Sequence, residues 1–219
     1  GALRGRGNLT EAAEAFSRAL ASQPANPVAQ FNIGETWRQL GRYAEAGAVL
    51  RQIVSNYPDF VEAFVSYADL LSESNSDLEA EHYCRQAIAM APGFPQAHFC
   101  LGNILQKQGR LPESRSAYVE AIRTDNAYAA AYDSLGCVLQ EMGLLKEAER
   151  CHREALRLLP DFPAALLNLG RLFDESNRFS EAEAVYRSAV RLQPGDPAAL
   201  QRLGNVLHEL GRDDEADTC

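Results

Sequence analysis

Residues 163–196 read PAALLNLGRLFDESNRFSEAEAVYRSAVRLQPGD, and the residues that organise this stretch return every 34 positions along the chain. Residues 129–162, AAAYDSLGCVLQEMGLLKEAERCHREALRLLPDF, place small, bulky and turn-forming residues in the same order. One position of the period is alanine throughout: Ala29, Ala63, Ala97, Ala131, Ala165 and Ala199. Such a period is the signature of a repeat protein, in which each unit buries its apolar faces against its neighbours.

Each 34-residue unit is predicted to form two short amphipathic helices. In residues 163–196, bulky apolar side chains recur at helical spacing in the first half of the unit and again in the second half. Asn177 lies between the halves, where most other units have glycine. Glycine and asparagine tolerate the left-handed backbone conformation that ends a helix, so we expect a tight turn there. Pro194 disfavours helix at the residue before it and is expected to close the second helix.

A defined order of small, bulky and turn residues runs through each unit. In residues 163–196 the order is Leu166-x2-Leu169-Gly170-x2-Phe173, then Ala182-x3-Tyr186, then Pro194. This order resembles the signature of the tetratricopeptide repeat (TPR) family, W-x2-L-G-x2-Y, A-x3-F and P at the same period. The resemblance implies an all-α fold, a right-handed TPR superhelix (α-solenoid) of antiparallel helix pairs. The chain departs from the signature at a few positions, among them Tyr67 and Ala68 in place of Leu-Gly.

The register of the period places a single TPR array over residues 1–219. It predicts complete repeats at 27–60, 61–94, 95–128, 129–162 and 163–196, with partial repeats at 1–26 and 197–219. Neither partial repeat carries the polar capping helix that a finished array requires. We therefore expect the chain to be a piece of a longer array, whose truncated ends allow end-to-end self-association.

The charge and the cysteine content limit the kinds of binding partner and the cellular compartment that the sequence is compatible with. The formal net charge is −9, from 30 acidic and 21 basic residues, and such a surface repels a phosphate backbone. No apolar run approaches the ~18 residues that a bilayer-spanning helix needs. We therefore expect no nucleic-acid partner and no membrane partner. The five cysteines are odd in number and form no C-x-x-C pair, which favours a reducing compartment such as the bacterial cytoplasm.

The sequence lacks the residue arrangements that are typical of catalysis or of metal binding. His152 adjoins Cys151, but neighbouring residues of a helix point in different directions. His152 also fills the position that Tyr118 and Tyr186 take in other repeats, which favours a core role. No nucleophile turn such as G-x-S-x-G is present. We therefore predict no catalytic site, no metal site and no cofactor, and a chain that is not an enzyme.

In TPR proteins the first helix of each pair lines a concave groove, so the resemblance also implies where a ligand binds. Asparagine fills the sixth position of two repeats and the ninth of two others, and an amide can hold a peptide backbone through a donor and an acceptor. Acidic residues outnumber basic ones at the groove positions, which favours a partner with basic character, although an acidic surface also serves solubility alone. The predicted groove residues are Asn32, Glu35, Asp69, Asn103, Asp133, Asn168, Arg171, Arg202 and Asn205.

Two functions are consistent with this groove. The first is a non-catalytic protein–protein interaction scaffold that binds an extended or helical peptide segment. The alternative is the substrate-recruiting arm of a larger enzyme, such as a glycosyltransferase resembling O-GlcNAc transferase, whose asparagine ladder is matched here only by Asn32 and Asn168.

Some TPR proteins hold the acidic tail of a partner in a carboxylate clamp made of lysine, asparagine and arginine. In this chain the clamp pattern is matched only by Asn168 and Arg202. Asp133 stands at another clamp position and would repel a carboxylate. We therefore expect acidic tails to bind weakly or not at all.

Overall fold

The computed structural model describes residues 26–216. Within these residues the chain forms twelve helices and no strand, so the predicted all-α fold class is confirmed. Residues 1–25 of the first predicted partial repeat, and residues 217–219, lie outside the described residues. In chain order the helices are α1 (Pro27–Gln39), α2 (Tyr43–Asn56), α3 (Val61–Glu73), α4 (Asp77–Met90), α5 (Pro95–Lys107), α6 (Leu111–Thr124), α7 (Ala129–Glu141), α8 (Leu145–Leu158), α9 (Pro163–Glu175), α10 (Phe179–Leu192), α11 (Pro197–Glu209) and α12 (Asp213–Ala216).

The helices follow the period of the sequence. A short turn joins each first helix to its second helix, and the backbone there adopts positive φ, 57° at Asn177 and 76° at Gly143. The turn predicted at Asn177 is confirmed, and it reverses the chain direction so that paired helices run antiparallel. First helices begin every 34 residues, at Pro27, Val61, Pro95, Ala129, Pro163 and Pro197.

The described residues divide into two compact units, one that ends at Gln108 (unit 1) and one that begins at Gly109 (unit 2). Within unit 1, each of the helices α1 to α5 packs against the next helix in the chain. Within unit 2, the same holds for α6 to α12. Consecutive packing of antiparallel pairs is the arrangement of an α-solenoid, as predicted. Between residues 26 and 216, every helix falls short of the length and apolar character that crossing a membrane requires.

The core of unit 1 is built around the small residues that the period repeats. Ala63 and Ala97 on first helices, and Ala80 on a second helix, are fully buried. Larger side chains pack around them, and Tyr67 is almost completely enclosed. The hydroxyl of Tyr67 accepts a hydrogen bond from Nε of Arg51 at 2.9 Å, so its polar end is satisfied.

In unit 2, glycines on first helices make room for rings on second helices. A Cβ atom added at Gly136 would lie 2.6 Å from Cε1 of His152, far inside van der Waals contact. A Cβ atom added at Gly170 would overlap the ring of Tyr186 in the same way. Both rings are fully buried. The glycine of the repeat signature is therefore required by the ring that the second helix inserts opposite it.

The same complementarity accounts for a departure from the signature. Ala68 stands where other repeats have glycine, and the opposing second-helix position holds Cys84, whose side chain is much smaller than a ring. Both residues are fully buried. At Gly34 the opposing residue is Leu50, and an added Cβ atom would lie 3.4 Å from its Cγ, a much milder contact. Alanine can therefore replace glycine on the first helix where the opposing side chain on the second helix is small.

Arginines at the turns connect successive repeats in unit 2. Arg178 donates to Glu149 on α8 at 2.6 Å, and its guanidinium lies 4.3 Å from the centre of the Phe173 ring. Arg212 forms the equivalent ion pair with Glu183 on α10 at 2.7 Å. Each arginine lies 29 residues after its glutamate, so these contacts recur with the period and link each helix pair to the preceding one.

Replacing Gly170 by alanine tests the fit between glycine and ring. We expect Gly170→Ala to lower the free energy of unfolding by about 1–3 kcal/mol, because the added methyl group displaces the buried Tyr186 ring. Urea denaturation followed by circular dichroism measures the change. Gly195→Ala is the matched control, since an added Cβ atom there meets nothing within 4 Å. Equal stability of the two variants would contradict the requirement for glycine.

Candidate functional site

The first helices of each unit lie side by side and form one surface per unit. In unit 1 this surface, the first-helix face, consists of α1, α3 and α5, and adjacent members are in contact. In unit 2 it consists of α7, α9 and α11, with α7 in contact with α9. Side chains about one period apart meet across neighbouring helices, as Arg38 meets Glu73 and Asp133 meets Asn168. Most of the predicted groove residues lie on these faces.

On unit 1, Arg38 links two first helices. Its guanidinium forms ion pairs with Glu35 on its own helix at 3.1 Å and with Glu73 on α3 at 2.9 Å. Asp69 lies close to this cluster. Burial raises the pKa of the Asp69 carboxyl, while a hydrogen bond from the Cys100 thiol and the charge of Arg38 act in the opposite direction. The predicted groove residue Glu35 is therefore part of an ion-pair cluster.

A cleft of about 420 Å³ opens on this face of unit 1, and it contains the predicted residues Asp69 and Asn103. Lys107 also lines the cleft, and its Nζ atom lies 3.0 Å from Oδ1 of Asp77 and donates to the carbonyl of Ser72. The two cations of the cleft, Lys107 and Arg38, are thus both paired with carboxylates. The complete lining is Arg38, Asp69, Ser72, Glu73, Asn103, Ile104 and Lys107.

On unit 2, Asp133 is the centre of a buried polar network. Asp133 is only 6% exposed, and its Oδ1 atom is hydrogen-bonded to Nδ1 of His152 at 2.6 Å. Its second oxygen, Oδ2, accepts a hydrogen bond from Nδ2 of Asn168 at 3.0 Å. The structure therefore brings two predicted groove residues together, but their polar groups bind each other and the core histidine.

The remaining predicted residues of unit 2 are more dispersed. Arg171 approaches the side-chain oxygen of Gln140 at 3.5 Å, and Gln140 in turn hydrogen-bonds to Glu175. Burial raises the pKa of Asp174, and the nearby charge of Arg202 on α11 opposes that rise.

Asn205 lies in a different cleft of about 480 Å³, all of whose lining residues come from α11 and α12. Asn168 is not among the residues that line this cleft. On unit 1, Asn32 lies on α1, where its main-chain carbonyl accepts a hydrogen bond from the Thr36 hydroxyl at 2.7 Å.

Sequence reasoning missed the polar links behind the first-helix face. The buried ring position of a second helix and the sixth position of the next repeat are 16 residues apart, and Sγ of Cys84 lies 2.6 Å from Sγ of Cys100 across this spacing. Tyr118 and Ser134 hydrogen-bond across the same spacing, while burial raises the pKa of the Tyr118 hydroxyl. The constant separation of 16 residues is the sequence signal that could have revealed these links. It shows that sixth-position residues are contacted from the core side.

One group of three potential metal ligands occurs among residues 26–216. It comprises Asp133, Cys137 and His152, whose ligand atoms all lie within 4.8 Å of one another. Burial, together with the nearby Asp133 carboxylate, raises the pKa of the Cys137 thiol to about 12. The charge of Arg171 acts in the opposite direction. The sequence comparison of His152 with its neighbour Cys151 overlooked this group, because Cys137 lies on the other helix of the pair.

Replacing Asp133 by alanine tests the buried network. We expect Asp133→Ala to lower the free energy of unfolding by about 1–3 kcal/mol, because Nδ1 of His152 and Nδ2 of Asn168 would lose their partner inside the protein. Thermal and urea denaturation measure the loss. Asp161→Ala, which removes an exposed carboxylate, is the control. A loss no larger than that of the control would show that the network does not stabilise unit 2.

Comparison with protein families gives one consistent description. A profile described as tetratricopeptide repeat matches residues 2–59, 134–197 and 171–216. A second profile of the same description matches residues 94–161. No curated protein sequence matches the chain.

Several solved structures share the fold. A structure from a functional characterisation of Pseudomonas aeruginosa pilF is 19% identical, covers 96% of this chain and 90% of that one, and has a TM-score of 0.76. TTC0263, a thermophilic TPR protein in Thermus thermophilus, is 22% identical over 84% of this chain and 100% of that one, with a TM-score of 0.73. MamA is 20% identical over 74% of this chain and 95% of its own, with a TM-score of 0.63. At these identities the likeness establishes the fold.

Proposed function

Because the chain belongs to the tetratricopeptide-repeat family, we propose that it is a non-catalytic scaffold whose first-helix face binds an extended or helical peptide segment of a protein partner. Membership of this family supports a role in protein–protein interaction in general. The location of the peptide on the first-helix face, and the chemistry of the peptide, are the finer parts of the proposal.

The cleft on unit 1 is the observation that carries this proposal. It brings the carboxyl group of Asp69 and the amide of Asn103 together in a concavity of about 420 Å³, with the buried side chain of Ile104 beneath them. An amide offers donors and an acceptor, which suits the alternating groups of a peptide backbone. A concave site with a few convergent polar groups is typical of ligand binding.

The charge around this cleft favours a basic segment. Arg38 is paired with Glu35 and Glu73, and Lys107 is paired with Asp77. The carboxyl group of Asp69 adds to this set, so the acidic groups around the cleft outnumber its two cations. Complementary charge steers association and discriminates against partners of the same sign. A lysine or arginine side chain of the partner is expected to lie near Asp69.

In unit 2, the asparagine at one of the two matched clamp positions is already engaged within the protein. The amide of Asn168, which occupies a clamp position, donates to Oδ2 of Asp133 at 3.0 Å. Asp133 is itself committed to His152. This arrangement supports a preference for basic over acidic peptides in this unit as well.

A reducing compartment, such as the bacterial cytoplasm, is part of the same proposal. The cysteines at 84, 100, 137 and 151 form no disulfide bond in the described part of the chain. Free, largely enclosed thiols of this kind are typical of proteins in reducing compartments.

An array of extended peptides that differ in net charge tests the proposal, with fluorescence anisotropy on selected peptides. We expect basic peptides to bind best and peptides with acidic tails to bind weakly or not at all. The double variant Asp69→Asn/Asn103→Ala should lose about tenfold or more in affinity, equivalent to ~1.4 kcal/mol, because it removes a charge and an amide from the cleft.

The matched control is Glu79→Gln/Gln52→Ala, which removes the same kinds of group from exposed positions on second helices of unit 1. This control should bind as the unmodified chain does. Equal losses in both double variants, or tighter binding of acidic peptides, would contradict binding at the first-helix face.

A further inference from the structure

Three side chains of unit 2 converge where α7 and α8 cross at Gly136. Asp133 and Cys137 are one helical turn apart on α7 and therefore lie on the same side of that helix. His152 on α8 packs directly against Gly136, between them in sequence. One ligand atom from each of the three residues lies within 4.8 Å of the other two, and no other such trio occurs between residues 26 and 216.

His152 presents one of its two ring nitrogens to Asp133. Its side chain is fully buried, and only one of its two ring nitrogens is satisfied, through the hydrogen bond from ring to Asp133 at 2.6 Å. The other nitrogen, Nε2, is enclosed and has no hydrogen-bond partner. The two ring nitrogens point to opposite sides of the imidazole, so the nitrogen that can share an ion with Asp133 is Nδ1, and an ion there would replace the proton of this hydrogen bond.

We propose that Asp133, Cys137 and His152 bind a zinc ion. Thiolate, imidazole and carboxylate are the three side-chain groups that bind Zn²⁺ in proteins, at ~2.0–2.3 Å from the metal. Ligand atoms around such an ion lie within roughly 4 Å of one another. Nδ1 of His152 and Oδ1 of Asp133 are now 2.6 Å apart, so they must separate by about 0.7 Å to hold one tetrahedral ion.

The surroundings of the cluster support this assignment. Asn168 holds Oδ2 of Asp133 through a hydrogen bond of 3.0 Å, which orients the carboxylate from outside, as partners of metal ligands commonly do. Cys137 is the only partly exposed member of the trio, so an ion reaches the cluster from the side of the thiol. Three protein ligands leave a fourth position of a tetrahedral zinc open for water or another donor. This site is independent of the proposed peptide binding by unit 1.

Zinc titration of the complete, reduced chain after removal of metals with a chelator tests the proposal. Competition with a chromophoric chelator gives the affinity, and Co²⁺ in place of Zn²⁺ reports a thiolate ligand through its charge-transfer band. We expect one ion per chain, a rise in Tm on adding Zn²⁺, and a thiolate band with Co²⁺.

Asn168→Ala removes an outer partner of a metal ligand and should weaken zinc binding by ~10–100-fold. Cys137→Ser removes a ligand itself and should weaken zinc binding by more than that. Cys137 is partly exposed, so the serine variant should fold, and its Tm without metal verifies this. Cys151→Ser, a partly buried cysteine outside the trio, is the control and should bind zinc normally. Absence of zinc binding, or equal binding by the Cys137→Ser variant, would overturn the assignment.

Discussion

The contact between a second-helix side chain and the small residue opposite it on the first helix is the constraint on which this structure depends. His152 packs on Gly136 and Tyr186 packs on Gly170, each so closely that a methyl group could not be inserted. The ring of the second helix thus lies directly against the backbone of the first helix at this glycine. Close packing of this kind penalises changes in side-chain volume in either direction. The repeat signature therefore specifies a small residue on the first helix and a larger side chain opposite it on the second helix.

This contact also determines what lies beneath the first-helix face. The polar end of the inserted side chain reaches the first-helix face: His152 meets Asp133 of the same repeat, and Asp133 meets Asn168 of the next repeat. In unit 1 the same position is occupied by Cys84, whose sulfur meets that of Cys100. The first-helix face thus consists of polar residues supported from the core, and differences between the core residues produce different chemistry at each repeat.

The sequence was sufficient to predict the helix pairs and their turns. Small residues at a constant spacing identify the buried sides, and Asn177 with positive φ marks the turn that its amide side chain tolerates. Helix starts follow the same spacing, and proline begins four of the six first helices of the described residues.

The chemistry of the candidate sites was only partly accessible from the sequence. A period indicates which side of a helix a residue occupies, but not which neighbour its polar atoms will bind. Asp133 stood at a groove position, yet it is buried, since its carboxylate turns to His152. Cys137 lies one turn after Asp133 on the same helix, and the approach of both residues to His152 depends on rotamers and on the crossing of α7 and α8 at Gly136. Asp69 and Asn103, by contrast, lie in one cleft of unit 1, as groove positions on neighbouring first helices should.

A double-mutant cycle between positions 170 and 186 tests the size complementarity most directly. Leucine fills the ring position opposite Gly34, where an added Cβ atom would meet Cγ of Leu50 at 3.4 Å. The free energy of unfolding is measured for Gly170→Ala, Tyr186→Leu and the double variant. We predict that alanine at 170 costs much less when leucine replaces Tyr186, with a coupling of about 0.5–3 kcal/mol. Additive effects of the two substitutions would contradict the account.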